Sequence, residues 1–388
     1  MRREYDTVVV GLGGIGAGAL YWLARHLGGD VLGLEQFELG HDAGGSQDHS
    51  RIIRYSYHDP IYVRLAERAY HCWNSVERET GERLVYRCGG LDLFPEGGAI
   101  SAVDYVESLE ACGIPFERLE SAEIRRRWPV FRVPDSVWGL YQADGGLVAA
   151  ARANSTHLRA ARSAGAAILE NTPVTDLQAE GGEVRITAGG VVYRARRLVV
   201  TSGAWSNDIL AHLGLRLPLT VTREQVVYYA ARDLEAFAPE RLPVWIWMDV
   251  PCFYGLPVFG EPAVKVAEDM GGRDTTATAR SFEPDPAGLA RVRSWCETYL
   301  PEAVGPEHRV KTCLYTLTPD RDFVVDTIPG HPEIVMVVGA GHAFKFASAL
   351  GQIISELLLQ GATEADLSAF AFDRPILQME DPPRSLMV

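Results

Sequence analysis

Tyr5-Asp-Thr-Val-Val-Val10 runs into Gly11-Leu-Gly13-Gly14-Ile15-Gly16, and the segment closes at Val31-Leu-Gly-Leu34-Glu35. The first run is short, valine-rich and apolar, as a buried strand is. Leu20, Leu23, Ala24 and Leu27 then recur at helical spacing, and Gly28-Gly29 ends the helix. Val31–Leu34 is a second strand. The glycines thus lie where a strand turns into a helix, the context that gives Gly-x-Gly-x-x-Gly its meaning. Gly11 permits the tight turn, Gly13 lets the backbone approach a pyrophosphate, and Gly16 lets the helix pack closely on the strand. Helix N–H groups and the helix dipole favour the phosphates. Glu35 ends the second strand, where its carboxylate can accept hydrogen bonds from a ribose diol. This pattern establishes a dinucleotide site and leaves NAD and FAD both open.

Outward from this unit, residues 61–80 and 102–113 read as helices and 83–95 as strands around Gly89-Gly90. A helix spans 150–163. A strand at 167–169, a hairpin across Gly189-Gly190 and a buried strand at 198–201 follow it. Residues 216–270 are strand-rich, and 287–300 are helical. A strand at 334–338 ends in Gly339-Ala-Gly341. The helix after it carries Leu350, Ile353, Ile354, Leu357 and Leu358 on one face and is capped by Gly361. The chain is therefore α/β, with α/β segments at the start, middle and end enclosing two strand-rich insertions. Expected segments are 1–82, 146–215 and 321–388 for a cofactor domain. Residues 83–145 and 216–320 are expected to form an α+β substrate domain.

The 388 residues suit about two domains. A net charge of -14 without a basic tract argues against nucleic acid or anionic membranes as partners. No apolar run approaches the roughly 20 residues that span a bilayer. Arg2-Arg3 suggests an export signal, but no long apolar core follows it, so the expected location is cytoplasmic. The six cysteines form no Cys-x-x-Cys pair, which disfavours zinc and dithiol chemistry, so no metal is expected. Of 37 Lys and Arg residues only three are lysine: Lys265, Lys311 and Lys345. Where arginine is the default cation, a retained lysine suits a site that needs a compact ammonium or an amine with a shiftable pKa.

Three further stretches carry a resemblance. They are Gly45-Ser46-Gln-Asp-His-Ser50-Arg51-Ile52-Ile-Arg54-Tyr-Ser-Tyr57, Lys311-Thr-Cys313-Leu314-Tyr315-Thr-Leu-Thr-Pro-Asp320, and Gly341-His-Ala343-Phe344-Lys345-Phe346. From residue 4 to about 376 the chain resembles the monomeric sarcosine oxidase and N-methyltryptophan oxidase family. These are FAD enzymes of the wider glycine-oxidase and D-amino-acid-oxidase superfamily.

The resemblance implies FAD, a Rossmann-like cofactor domain interleaved with a sheet-rich substrate domain, and a monomer. It implies that Cys313 holds the flavin 8α-methyl group through a thioether. A thiolate is the competent nucleophile, and Lys311 nearby would favour it. Cofactor contacts are implied at Gly14, Ile15, Gly45, Ser46, Ser50, Ile52, Val174, Ser202, Gly203 and Trp205. Leu314, Tyr315, Gly341, Ala343 and Phe344 complete that set. Arg51 is implied beside the flavin ring, and Lys345 at its pyrimidine end, where it also helps hold the substrate carboxylate. Arg54 is implied on that carboxylate, which an arginine fork suits. Tyr254 and Lys265 match positions over the flavin, Tyr254 bonding the carboxylate and Lys265 promoting reaction with oxygen. The implied reaction oxidises the C–N bond of an N-methyl or N-alkyl amino acid to an imine. Water hydrolyses the imine to an aldehyde and a primary amino acid, while oxygen becomes hydrogen peroxide.

The departures bear on the substrate. Asp269 stands where the family has a histidine, and an anion there favours an ammonium substrate, or accepts its proton if its own pKa is raised. Gln47 replaces another family histidine. Trp247 aligns with a methionine beside the substrate, and Tyr315 is expected to border it as well. The Gly339–Gly341 loop is one residue short and is similar to that of cyclic-imine oxidases. A cyclic secondary amino acid such as proline or pipecolate is therefore an alternative substrate. A flavin dehydrogenase with another electron acceptor and a non-enzymatic flavin-binding protein are further readings. Lys265 argues against the first of these, and Arg54 with Lys345 against the second.

Overall fold

The computed structural model describes residues 2–385. Met1 and residues 386–388, the outer ends of the expected cofactor-domain segments, lie outside the described residues. The opening unit forms as its pattern requires: strand Glu4–Val10, helix Gly14–Leu27 and strand Val31–Leu34. The two strands pair in parallel. A Cβ at Gly16 would lie 1.8 Å from the Gly11 carbonyl oxygen, so only glycine fits where the helix crosses the strand. Gly11 itself has φ +86°, a conformation glycine adopts without strain.

This unit is the centre of an eight-stranded sheet. Glu4–Val10 lies between Val31–Leu34 and the long strand Val191–Val200, and is parallel to both. The first half of Val191–Val200 pairs with Glu183–Ala188 across the Gly189-Gly190 hairpin, and the second half with His331–Val338. Helices Gly14–Leu27, Ala150–Ser163 and Ala347–Gln360 pack together on one face. The last helix ends at Gly361 in the left-handed conformation, as its C-cap position predicts.

A second, nine-stranded sheet is antiparallel except where Val244–Trp247 runs parallel to Gly90–Pro95. Its strands come from residues 90–142 and 220–317. Thr220–Tyr229 is its spine, pairing on one edge with Val264–Asp269 and on the other with Glu307–Leu317. A small third sheet joins Arg51–Ile53, Gly146–Val148 and Val85–Arg87 between the two. The helix expected over 102–113 ends at Ala111, and Gly113 follows with a positive φ. The helix Ser121–Arg127 was not expected, because its three consecutive arginines hide any apolar periodicity. No helix among the described residues is long and apolar enough to cross a membrane.

Candidate active site

One cavity of about 460 Å³ runs from the glycine turn to the inner face of the second sheet. At one end Gly11, Gly13, Gly14, Ile15 and Glu35 line it. Gly45, Ser46, Val174, Ser202, Gly203 and Trp205 border it as well. The Gly14 N–H donates to Ser46 Oγ at 2.9 Å, and the Leu12 N–H donates to Glu35 Oε2 at 2.8 Å. Burial works to raise the pKa of Glu35, but hydrogen bonds from His41 and the Leu12 and Phe37 amides outweigh it and lower the pKa. Gly16 and Ser50 do not line the cavity. Gly16 serves the helix–strand crossing, and Ser50 offers its carbonyl to Lys265.

The donor set fits the adenosine and phosphate half of FAD. Glycines leave room for backbone approach, the first turn of the helix borders the cavity at Gly14 and Ile15, and a buried carboxylate stands where a ribose diol would bind. Ser202 Oγ and Asn154 Oδ1 are buried on the same walls without a protein hydrogen-bond partner, so both are free to bond a polar ligand.

At the other end the strand Glu307–Leu317 brings Lys311, Cys313, Leu314 and Tyr315 to the cavity. Burial raises the Cys313 thiol, and Arg51 and Lys265 pull it back. Lys311, two residues before Cys313 on the same strand, has its Nζ 3.9 Å from Asp48 Oδ1.

Lys265, only 2% exposed, donates to Asp48 Oδ2 at 2.5 Å and to the Ser50 carbonyl at 2.9 Å. Burial lowers its pKa to about 8, against the pull of Asp48. Asp48 also faces Arg51 at 3.2 Å and accepts from Tyr228 Oη at 2.6 Å. Burial works to raise Asp48, but Lys265 and Arg51 outweigh it and hold the carboxyl far below its usual range. Arg51 is further tied to the Ser50 and Gly45 carbonyls, both at 2.9 Å.

Arg54 and Lys345 meet at Tyr57. The Arg54 guanidinium lies 5.1 Å from the Tyr57 ring centroid, and Lys345 Nζ donates to Tyr57 Oη at 2.8 Å. Lys345 also donates to the His342 carbonyl at 2.9 Å. It sits on the short turn Ala343–Phe346 that leads into helix Ala347–Gln360. Burial first, and then repulsion by Arg54, holds its amine well below its ordinary pKa. Ile52, Tyr254, Asp269, Gly341, Ala343 and Phe344 also line the cavity.

Trp247 does not line the cavity. Its ring stacks on Tyr299 at 4.4 Å and meets Trp295 at 5.6 Å in the core of the second sheet. Side chains alternate along a strand, so Ile246 and Met248 face the cavity instead.

Asp48, the partner of Lys265, escaped the sequence reading, as did two further charged residues. Asp92 accepts from Arg54 NH1 at 2.9 Å behind the cavity wall. An acid in the otherwise apolar strand Gly90–Pro95 was a usable signal. Arg321, 1% exposed, pairs with Asp269 at 2.9 Å. Its φ of +62° costs about 1–3 kcal/mol for a non-glycine residue. As one arginine among many, it carried no signal beyond adjacency to Asp320.

Residues 6–357 match the model of the family described as FAD dependent oxidoreductase, DAO. The chain belongs to the DAO family of FAD-dependent oxidoreductases. This member is 30% identical over 387 residues to a monomeric sarcosine oxidase of Arthrobacter sp. (strain TE1826), covering 98% of this chain and 99% of the relative. It is 31% identical to an N-methyl-L-tryptophan oxidase of Yersinia pestis (strain Pestoides F), covering 96% and 99%. Among solved structures, NikD, an unusual amino acid oxidase essential for nikkomycin biosynthesis, superposes with a TM-score of 0.84 at 26% identity. That match covers 100% of this chain and 99% of NikD. The oxidoreductase therefore uses FAD, and the dinucleotide question left open by the glycine motif is closed.

Proposed function

We propose that this oxidoreductase is an oxidase of secondary amino acids, producing an imine and hydrogen peroxide. The observation that carries the reading is the meeting of Arg54 and Lys345 at Tyr57, in the same cavity as Lys265 and Cys313. Two cations at one point suit a substrate carboxylate. Segments 1–82, 146–215 and 321–388 form the cofactor domain in this reading, and 83–145 with 216–320 the substrate domain.

Bound FAD supplies the two-electron oxidation of the C–N bond and passes the electrons to oxygen. The protein's own part is placement and electrostatics. Arg54 and Lys345 hold the carboxylate, with Tyr254 beside it. Asp269 lines the cavity and presents a carboxylate to the amine side of the substrate. Lys265 supplies fixed positive charge where oxygen gains negative charge. The relatives named monomeric support a single-chain enzyme. A wall built of Ile100, Ile246 and Met248 favours a bulky or cyclic substituent as a second reading. A peroxide-release screen over sarcosine, longer N-alkylglycines, N-methyltryptophan, proline and pipecolate tests the reading. Silence across all of them rejects it.

Cys313 is the proposed covalent anchor. Acid precipitation is expected to leave the yellow flavin with the wild-type protein and to release it from Cys313→Ala. A colourless wild-type pellet contradicts the thioether.

Binding of a carboxylate is expected to take up protons. A bound anion stabilises the Lys345 ammonium, so the bound pKa lies above the free one. Between those two values affinity falls about tenfold per pH unit as pH rises, and close to one proton enters with the ligand. Calorimetry in two buffers of different ionisation enthalpy measures this. Lys345→Met is expected to abolish the uptake.

A further inference from the structure

We propose that the Asp269–Arg321 pair sets the charge of the accepted substrate, admitting one carboxylate and rejecting a second anionic group. This inference rests on the carboxylate reading of the Arg54–Lys345 end of the cavity.

Three cations border that end: Arg54, Lys345 and Arg321. Such a cluster, left to itself, is a binding site for a dicarboxylate. Two carboxylates temper it, and they do so differently. Asp92 is buried and does not line the cavity, so it meets Arg54 from behind and leaves other guanidinium donors facing the substrate. Asp269 does line the cavity, and its side chain is 22% exposed against 1% for Arg321. Its carboxylate is thus the more open member of the pair. An anion approaching Arg321 meets Asp269 and is repelled.

The arrangement is braced. Asp269 lies opposite Cys252 in the strand pairing, which fixes its place on the cavity wall. Glu224, on the neighbouring strand, lies near Arg321 and Asp269, but burial raises its pKa to about 7, so near neutrality Asp269 carries most of the negative charge on this wall. The Arg321 carbonyl bonds His342 Nε2 at 3.0 Å, and the His342 carbonyl accepts from Lys345. The charge filter and the carboxylate grip therefore share one frame. A neutral alkyl or ring substituent, or one that donates a hydrogen bond, passes the filter. A second carboxylate does not.

The test compares methoxyacetate with diglycolate, matched ethers bearing one and two carboxylates and no oxidisable amine. Binding to the flavin-loaded enzyme is read by calorimetry and by perturbation of the flavin spectrum. Wild type is expected to bind methoxyacetate at least tenfold more tightly. Asp269→Asn removes the negative charge beside Arg321 and is expected to shift the ratio at least tenfold toward diglycolate. Asp269→Asn with Arg321→Met removes both charges of the pair together, so it guards against a failure of the single variant to fold. Its expected diglycolate affinity lies between wild type and Asp269→Asn. A ratio unmoved by either variant overturns the charge filter alone, because methoxyacetate still binds. A wild type that binds neither ligand overturns the carboxylate reading and the filter with it.

Discussion

Replacing Lys265 with methionine is expected to slow the reaction of the reduced enzyme with oxygen by roughly 10²–10³-fold, the usual effect of removing one preorganised stabiliser of developing charge. Anaerobic reduction by substrate is expected to change far less, because Lys265 is not part of the carboxylate grip. Its ammonium is buried against Asp48 and the Ser50 carbonyl, so it needs no reorganisation when negative charge appears. Its pKa of about 8 gives the pH dependence its sign. Below that value the amine is charged and oxygen reacts quickly. Above it the rate falls, and Lys265→Met is expected to lose the pH step. Stopped-flow mixing of reduced enzyme with oxygen reads both effects. An unchanged rate returns the protein to the dehydrogenase reading.

Replacing Arg54 with methionine is expected to weaken carboxylate ligands by about 10²-fold. Hydrogen bonds to charged groups contribute roughly 1.5–3 kcal/mol, and 1.4 kcal/mol is a factor of ten. The change also strands Asp92, whose carboxyl is already raised by burial against the opposing pull of Arg54. A loss of stability is therefore expected in Arg54→Met and not in Arg54→Met with Asp92→Asn. Affinity is expected to stay low in both. Recovery of affinity in the double variant contradicts a direct role for Arg54.

The parts legible in sequence were those with strong local constraints. Gly11 to Gly16 permit only a narrow range of backbone geometries, and the helix at 150–163 and the cap at Gly361 follow from periodicity and punctuation. Cys313, Lys265 and Lys345 stood out as sparse residue types in distinctive surroundings. The parts not legible depend on partners far apart in the chain. Arg321 meets Asp269 across 52 residues, and Arg54 meets Asp92 across 38, with no local pattern marking either pair. Trp247 failed for another reason. Its alignment with a family methionine set aside strand alternation, and alternation turns Ile246 to the cavity instead.

In the proposed reading the glycine turn holds the dinucleotide, and the chemistry is assigned to residues from separate sheets and loops that the fold brings to one cavity. Anaerobic mixing of the flavin-loaded enzyme with a secondary amino acid tests that assembly most directly. The visible flavin band is expected to bleach at a rate that saturates with substrate, and admitting air is expected to restore it with one peroxide per flavin. A band that stays unbleached with every linear and cyclic secondary amino acid would contradict the proposed oxidase.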